Sequence, residues 1–248
     1  MATVTVRPQA NDEDGFIRFG EDATGFMGDE TTITTNARIK MGHHGGVNLG
    51  DSSYDPDTYF GWIHLKGAAG GVSDGTVGIT QGSTINSAKL YLYYHASNMD
   101  PGSEYADPGE GFTAAAEDAD SGSKPTTYAH VSGWTLTSAT VATGSLADYD
   151  SDDMSEYNQE FAAGWYPSSG LEIKTVIQEL VNRSGWDAEN NINLKLTPAT
   201  KGDYEWDIEW KDYDNRTGSN YHPKLVIDFT AAGAAATTNP AFLMFVDL

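Results

Sequence analysis

The chain has 248 residues, 39% of them hydrophobic, with 27 glycines, no cysteine and 14 basic against 36 acidic side chains, a formal charge of −22. That charge disfavours nucleic acid, whose phosphates need clustered Lys and Arg to release counterions, and it disfavours anionic membrane surfaces. Without thiols there are no disulfides, thiolate metal sites or cysteine nucleophiles, and the length suits one all-β domain with a full core.

No stretch approaches the ~20 apolar residues of a membrane helix. Met1 to Val6 shows no basic region followed by an apolar run, so no secretory signal is expected. From Thr3 to Val6, β-branched residues alternate and predict a first strand closed by Pro8. Residues 10–31 are rich in Asp, Glu and Gly, with Phe16, Ile17, Phe19, Phe26 and Met27 as apolar anchors. They read as a long loop or an edge hairpin. A weak alternation from Thr31 to Met41 predicts a strand running into His43 and His44. Neighbours on a strand point to opposite faces, so these two histidines should not share a metal. Tyr59 to Leu65 is a strongly β-prone run, and residues 67–82 are rich in turn formers.

Thr84 to Tyr94 is the clearest strand. Ala88, Leu90, Leu92 and Tyr94 share one face, and Lys89, Tyr91, Tyr93 and His95 the other. Residues 97–124 carry an Asp/Gly/Ser/Pro cluster and read as an insertion loop. Strand composition returns from Val131 to Val141 around Trp134, Asp148 to Glu156 is an acidic, solvated run, and Tyr157 to Tyr166 leads the chain to a helix.

That helix, about 173–183, has Ile173, Val176, Ile177, Leu180 and Val181 at the spacing of one buried face, with Lys174, Gln178 and Asn182 opposite. Gly185, after Ser184, is expected to end it in the left-handed conformation. The period then becomes two. Ile192, Leu194 and Leu196, then Tyr204, Trp206, Ile208 and Trp210, then Leu225, Ile227 and Phe229 predict three strands. Many short strands, glycine-rich turns and one good helix indicate an all-β, jelly-roll-like antiparallel β-sandwich. The expected organisation is a single domain over 1–230, then a flexible small-residue linker and an apolar C-terminal arm over 231–248.

Candidate sites are few. Glu205, Asp207 and Glu209 share a strand face, but same-face residues sit ~7 Å apart and read as solvated. Asp212, Asp214 and Asn215 lie in a turn and offer hard oxygens to Ca²⁺, without the spacing of a helix-loop-helix calcium loop. Trp206 and Trp210, with Tyr213 and Tyr221 nearby, form either an aromatic platform for sugars or part of the core. The outward Tyr91 and Tyr93 suit recognition or a subunit contact, because tyrosine joins an apolar ring to a polar tip. Two glycosylation sequons, at Asn182 and Asn215, read as chance matches without an export signal. No nucleophile elbow or phosphate-cradling motif is present, so the chain is not expected to be an enzyme. Phe242, Leu243, Phe245 and Val246 read either as a last strand completing the chain's own sheet or as an arm that adds a strand to a neighbouring subunit or fills its apolar groove.

Three segments, INSAKLYLYY at 85–94, VIQELVNRSGWDAENNINLKL at 176–196 and HPKLVIDF at 222–229, together resemble DNRLRE-type β-sandwich domains. VNLG and YFGWIHL before them fit the same pattern, so the likeness spans 47–229; the lettered motif that names the family is absent. Such domains occur in bacterial surface proteins and phage structural proteins. The resemblance implies a jelly-roll fold and a non-catalytic role in display, adhesion or assembly, and it transfers no functional residue. With no signal peptide, the expectation is a bacteriophage capsid decoration protein on the virion surface. Its partners would be the major capsid protein or sister subunits, a trimer being favoured. The alternative is a tail or fibre-tip adhesin that binds glycan, with Ca²⁺ as its ion.

Overall fold

The computed structural model describes residues 1–10, 12–20, 32–35, 39–44, 57–66, 78–94, 112–143, 164–198, 206–210 and 221–233. In chain order the elements are β1 (Ala2–Val6), β2 (Asp14–Gly20), β3 (Thr32–Thr35), β4 (Ile39–His44), β5 (Asp57–Leu65), β6 (Thr84–Tyr94) and β7 (Phe112–Ala116). Then come α1 (Tyr128–Ser132), β8 (Val141–Ala142), β9 (Gly164–Glu172), α2 (Lys174–Val181), β10 (Ile192–Pro198), β11 (Trp206–Trp210) and β12 (Lys224–Thr230).

Every strand pairing is antiparallel. β6 is the spine of one sheet, ordered β1-β12-β6-β9, with β12 along one edge and β9 along the other. The second runs β11-β4-β5-β10-β7-β8, and β2, with β3 beyond it, takes the remaining edge of β5. The two are joined where Tyr94 pairs with Trp210. The molecule is an all-β sandwich.

Alternation explains the core. Ala88, Leu90 and Leu92 of β6 and Leu225, Ile227 and Phe229 of β12 are buried against Ile63, Leu65, Leu194, Leu196, Ala114 and Ala116 of the opposite sheet. α2 packs on β6 and β7 and adds Val176, Ile177, Leu180 and Val181. Each such side chain contributes roughly 1.5–3 kcal/mol over an exposed one. A second, smaller core lies outside the second sheet, where Val131 and Trp134 cover Ile17 of β2 and Trp62 of β5.

Four expectations need correction. α2 ends at Val181 with Asn182 as a right-handed cap, whose N–H bonds Gln178 and Leu180 carbonyls, and not at a left-handed glycine. Gly185 instead lies against the Asp120 carboxylate, which a Cβ at that position would crowd. Residues 112–116, placed in the insertion loop, are instead the core strand β7, paired with β10; its alanines admit close packing but carry too little hydrophobic signal to announce a strand. The stretch 131–141 is mostly irregular, beginning with the end of α1 and holding a single bridge at Leu136. Thr127 Oγ1 caps α1 by accepting from His130 N at 3.2 Å, and docking of Val131 and Trp134 on the sheet overrides their β propensity. Finally, the stretch expected only to lead the chain to the helix forms strand β9 over Gly164–Glu172, paired with β6; Gly164, Pro167, Ser168, Ser169 and Gly170 give it no strand period.

Candidate functional site

On the outer face of the β1-β12-β6-β9 sheet, β6 turns Tyr91 and Tyr93 away from the core that holds Leu90 and Leu92. The register sets Trp165 of β9 opposite Tyr93 and Lys224 of β12 opposite Tyr91. Trp165 stands edge-on to both tyrosines, with centroids 6.1 Å from Tyr91 and 5.2 Å from Tyr93. Tyr221, just before β12, tilts over Tyr93 at 4.3 Å. Lys224 Nζ lies 4.3 Å from the Trp165 ring centre and 4.8 Å from that of Tyr91. All four rings are partly exposed, as a surface cluster open to contact requires.

Gly170 makes the close packing feasible. It has φ +77°, a conformation that disfavours other residues, and a Cβ there would lie 2.8 Å from Tyr91 Cζ. The cluster is also cationic. Burial pulls the Lys224 ammonium below the usual lysine range, and the nearby charge of Arg7 lowers it further. His222 is lowered by the same two causes in the same order. Lys89 lies beside Tyr91 on this face, its Cβ only 2.9 Å from where a Gly170 Cβ would be. The surface therefore combines ring edges and faces with a short row of positive charge on a chain of net charge −22. Such a combination suits recognition, because aromatic and Arg-type groups give large contact area with directional polar ends.

Of the sequence candidates, Tyr91 and Tyr93 are brought together and reinforced. Alternation alone indicated them; Trp165 was missed because β9 looks like a turn. Tyr221 packs on Tyr93, whereas Trp206 and Trp210 lie on β11 and their side chains are outside what the structure describes. The calcium candidates Asp212, Asp214 and Asn215 lie outside the described residues, as do Tyr213 and the arm residues Phe242, Leu243, Phe245 and Val246. Among the described residues no group of three or more His, Cys, Asp or Glu side chains is placed to hold a metal ion. At the first sequon, Asn182 Oδ1 accepts from Gln178 Nε2 at 3.0 Å and Arg183 pairs with Asp118 and Asp120.

A second polar cluster is buried in the second sheet. His64 Nδ1 lies 2.6 Å from Asn193 Oδ1, and Asn193 Nδ2 donates to Glu117 Oε2 at 2.7 Å and to the Ser123 carbonyl at 2.9 Å. Burial holds the His64 imidazole below its ordinary pKa, against the opposing pull of Asn193 and of the Glu13 carboxylate. Gly122 leaves room for this network, since a Cβ there would approach Asn193 Nδ2 to 2.5 Å. No family model matches the chain, and no curated protein matches it.

Proposed function

We propose that this chain is a non-catalytic structural protein of a virion, a bacteriophage capsid decoration protein that docks through its aromatic face. The observation that carries the reading is the cluster of Tyr91, Tyr93, Trp165 and Tyr221 around Lys224. Interface cores are enriched in Tyr, Trp and Arg, and a few such anchors supply most of the binding energy. Its partner is the major capsid protein or a sister copy, within a homo-oligomer for which a trimer is favoured. The strong acidity elsewhere keeps decorated particles apart in solution, and the apolar arm at 241–248 supplies a second contact by strand addition. The viral assignment itself is supported by the resemblance of segments 85–94, 176–196 and 222–229 to DNRLRE-type domains.

Gold-labelled antibody on intact virus particles carrying the protein tests this directly. Label spread regularly over the heads is the expected result; its absence from every particle rejects the virion role. The double variant Tyr93→Ala, Trp165→Ala should lose particle binding by at least tenfold while remaining folded, as hot-spot aromatics do on truncation. Unchanged binding would remove the aromatic face from the proposal. A second reading, a tail or fibre-tip adhesin, is favoured by the same rings, which suit sugar faces. Label at tail tips together with a positive glycan screen would replace the first reading with the second.

A further inference from the structure

Tyr93 and Tyr221 are the tyrosines whose rings meet among the described residues, with centres 4.3 Å apart and planes inclined at 49°. They come from separate parts of the sheet. Tyr93 stands on the outer face of β6, and Tyr221 precedes Lys224, which pairs with Tyr91. Because β12 runs antiparallel to β6, the segment ahead of Lys224 passes beside Tyr93. Buried Pro223 stiffens the backbone there, since its ring holds φ at about −65°.

The pair is placed for covalent coupling. Its ring centres already stand at about the separation that two phenol rings keep when a single C–C bond joins them. The χ2 torsion of tyrosine is soft, so ring carbons can turn toward each other without moving the strands. Both rings are partly exposed, within reach of an oxidant in solvent and of water to take their protons. Trp165 lies edge-on to Tyr93 at 5.2 Å, and Lys224 Nζ stands 4.3 Å from the Trp165 ring centre. That ammonium opposes a positive hole on the indole and favours its passage to Tyr93, whose radical is neutral once the phenol proton has left. The chain has no cysteine, so no disulfide can tie these strands.

We propose that Tyr93 and Tyr221 form an oxidative modification site, joined as dityrosine by hydrogen peroxide and a haem peroxidase. Each phenol gives up one electron and one proton, and the two radicals bond through ring carbons ortho to their hydroxyls. The hydrogens on those carbons then pass to the oxygens through water, restoring both aromatic rings. One hydrogen peroxide takes the two electrons and two protons and leaves as two waters. Coupling within one copy outruns coupling between copies, because the two rings are held in contact while chains of charge −22 repel one another. The product straps β6 to the start of β12 across the aromatic face. This inference does not depend on the virion reading.

The test treats the dilute full chain with hydrogen peroxide and a haem peroxidase. A product with dityrosine fluorescence should form, lighter by two hydrogen atoms and running as a monomer on a denaturing gel. Digestion should give a linked peptide pair that contains Tyr93 and Tyr221. Tyr93→Phe and Tyr221→Phe keep a ring in place, so both should fold, as circular dichroism checks, yet each should abolish the product. Tyr91→Phe, on the same face of β6 but ~7 Å along the strand from Tyr93, should not. The cross-linked chain should also unfold at a higher urea midpoint than Tyr221→Phe treated in the same way, because the tie closes a long loop in the unfolded state. A link mapped to any other tyrosine or to Trp165, covalent dimers as the main product, dityrosine persisting in Tyr221→Phe, or an unraised midpoint would each overturn the proposal. So would the absence of dityrosine from the folded, treated chain.

Discussion

At the scale of single residues, the buried histidine carries a pH dependence that can be given a sign. His64 is 3% exposed, and burial favours its neutral form, so its folded pKa lies below the ordinary 6.5. The groups that set it are Asn193 and Glu13, which raise the pKa, and Lys124 and Lys66, which lower it. As pH falls below about 6.5 the unfolded chain takes up a proton that the folded chain refuses. Stability contributed by neutral His64 is thus full above that pH and is lost as pH drops toward the folded value, by at most about 1.4 kcal/mol per pH unit for one proton. Urea midpoints across this window should fall more steeply for the native chain than for His64→Gln; parallel curves would show that His64 does not couple folding to pH. The outward tyrosines were legible one residue at a time, because Tyr91 and Tyr93 alternate with leucines. Their partner Trp165 was not, since its significance depends on a strand pairing that local pattern does not encode.

Elements were legible where periodicity was unbroken. α2, β6, β10 and β12 each repeat apolar residues at one period over five or more positions, and the structure returns them within a residue or two of expectation. β7 and β9 were hidden by alanine, serine, glycine and proline, whose local preferences say turn or linker while their neighbours in space say sheet. The polar side of α2 also proves less solvated than its composition implies. Gln178 Oε1 accepts from Ile85 N at 2.8 Å and its Nε2 donates to the Ser83 carbonyl at 2.9 Å, so one side chain fastens the helix to the start of β6. Glu179 does the same for the segment after α1, accepting from Ser138 N at 2.8 Å and Ala139 N at 2.7 Å. Removing such a partner strands backbone groups away from water, at a cost of ~1–3 kcal/mol each when buried. Gln178→Ala should therefore lower stability by about 1–3 kcal/mol, even though alanine is the better helix former. A midpoint equal to or above that of the native chain would mean that water replaces the glutamine without loss.

For the molecule as a whole, 22 uncompensated negative charges set the balance between compactness and repulsion. Described ion pairs such as Lys124–Asp12 and Arg183–Asp120 are largely exposed, and pairs of this kind contribute about 1 kcal/mol or less. Net self-repulsion, by contrast, acts on every carboxylate and is relieved when salt shortens the screening length from ~10 Å near 0.1 M to ~3 Å near 1 M. Screening should thus weaken a few small attractions while relieving a larger repulsion. The urea midpoint at neutral pH should rise steadily as sodium chloride is raised from ~0.05 M to ~0.5 M, the range over which most of that screening develops. Association between copies should strengthen over the same range, because each carries the same net charge and salt screens the repulsion between them. A midpoint that falls with salt would mean that local ion pairs outweigh the net field. A midpoint that rises while self-association weakens would mean that copies meet through charge complementarity, the Lys224 cluster of one against carboxylates of another, and not through ring contact.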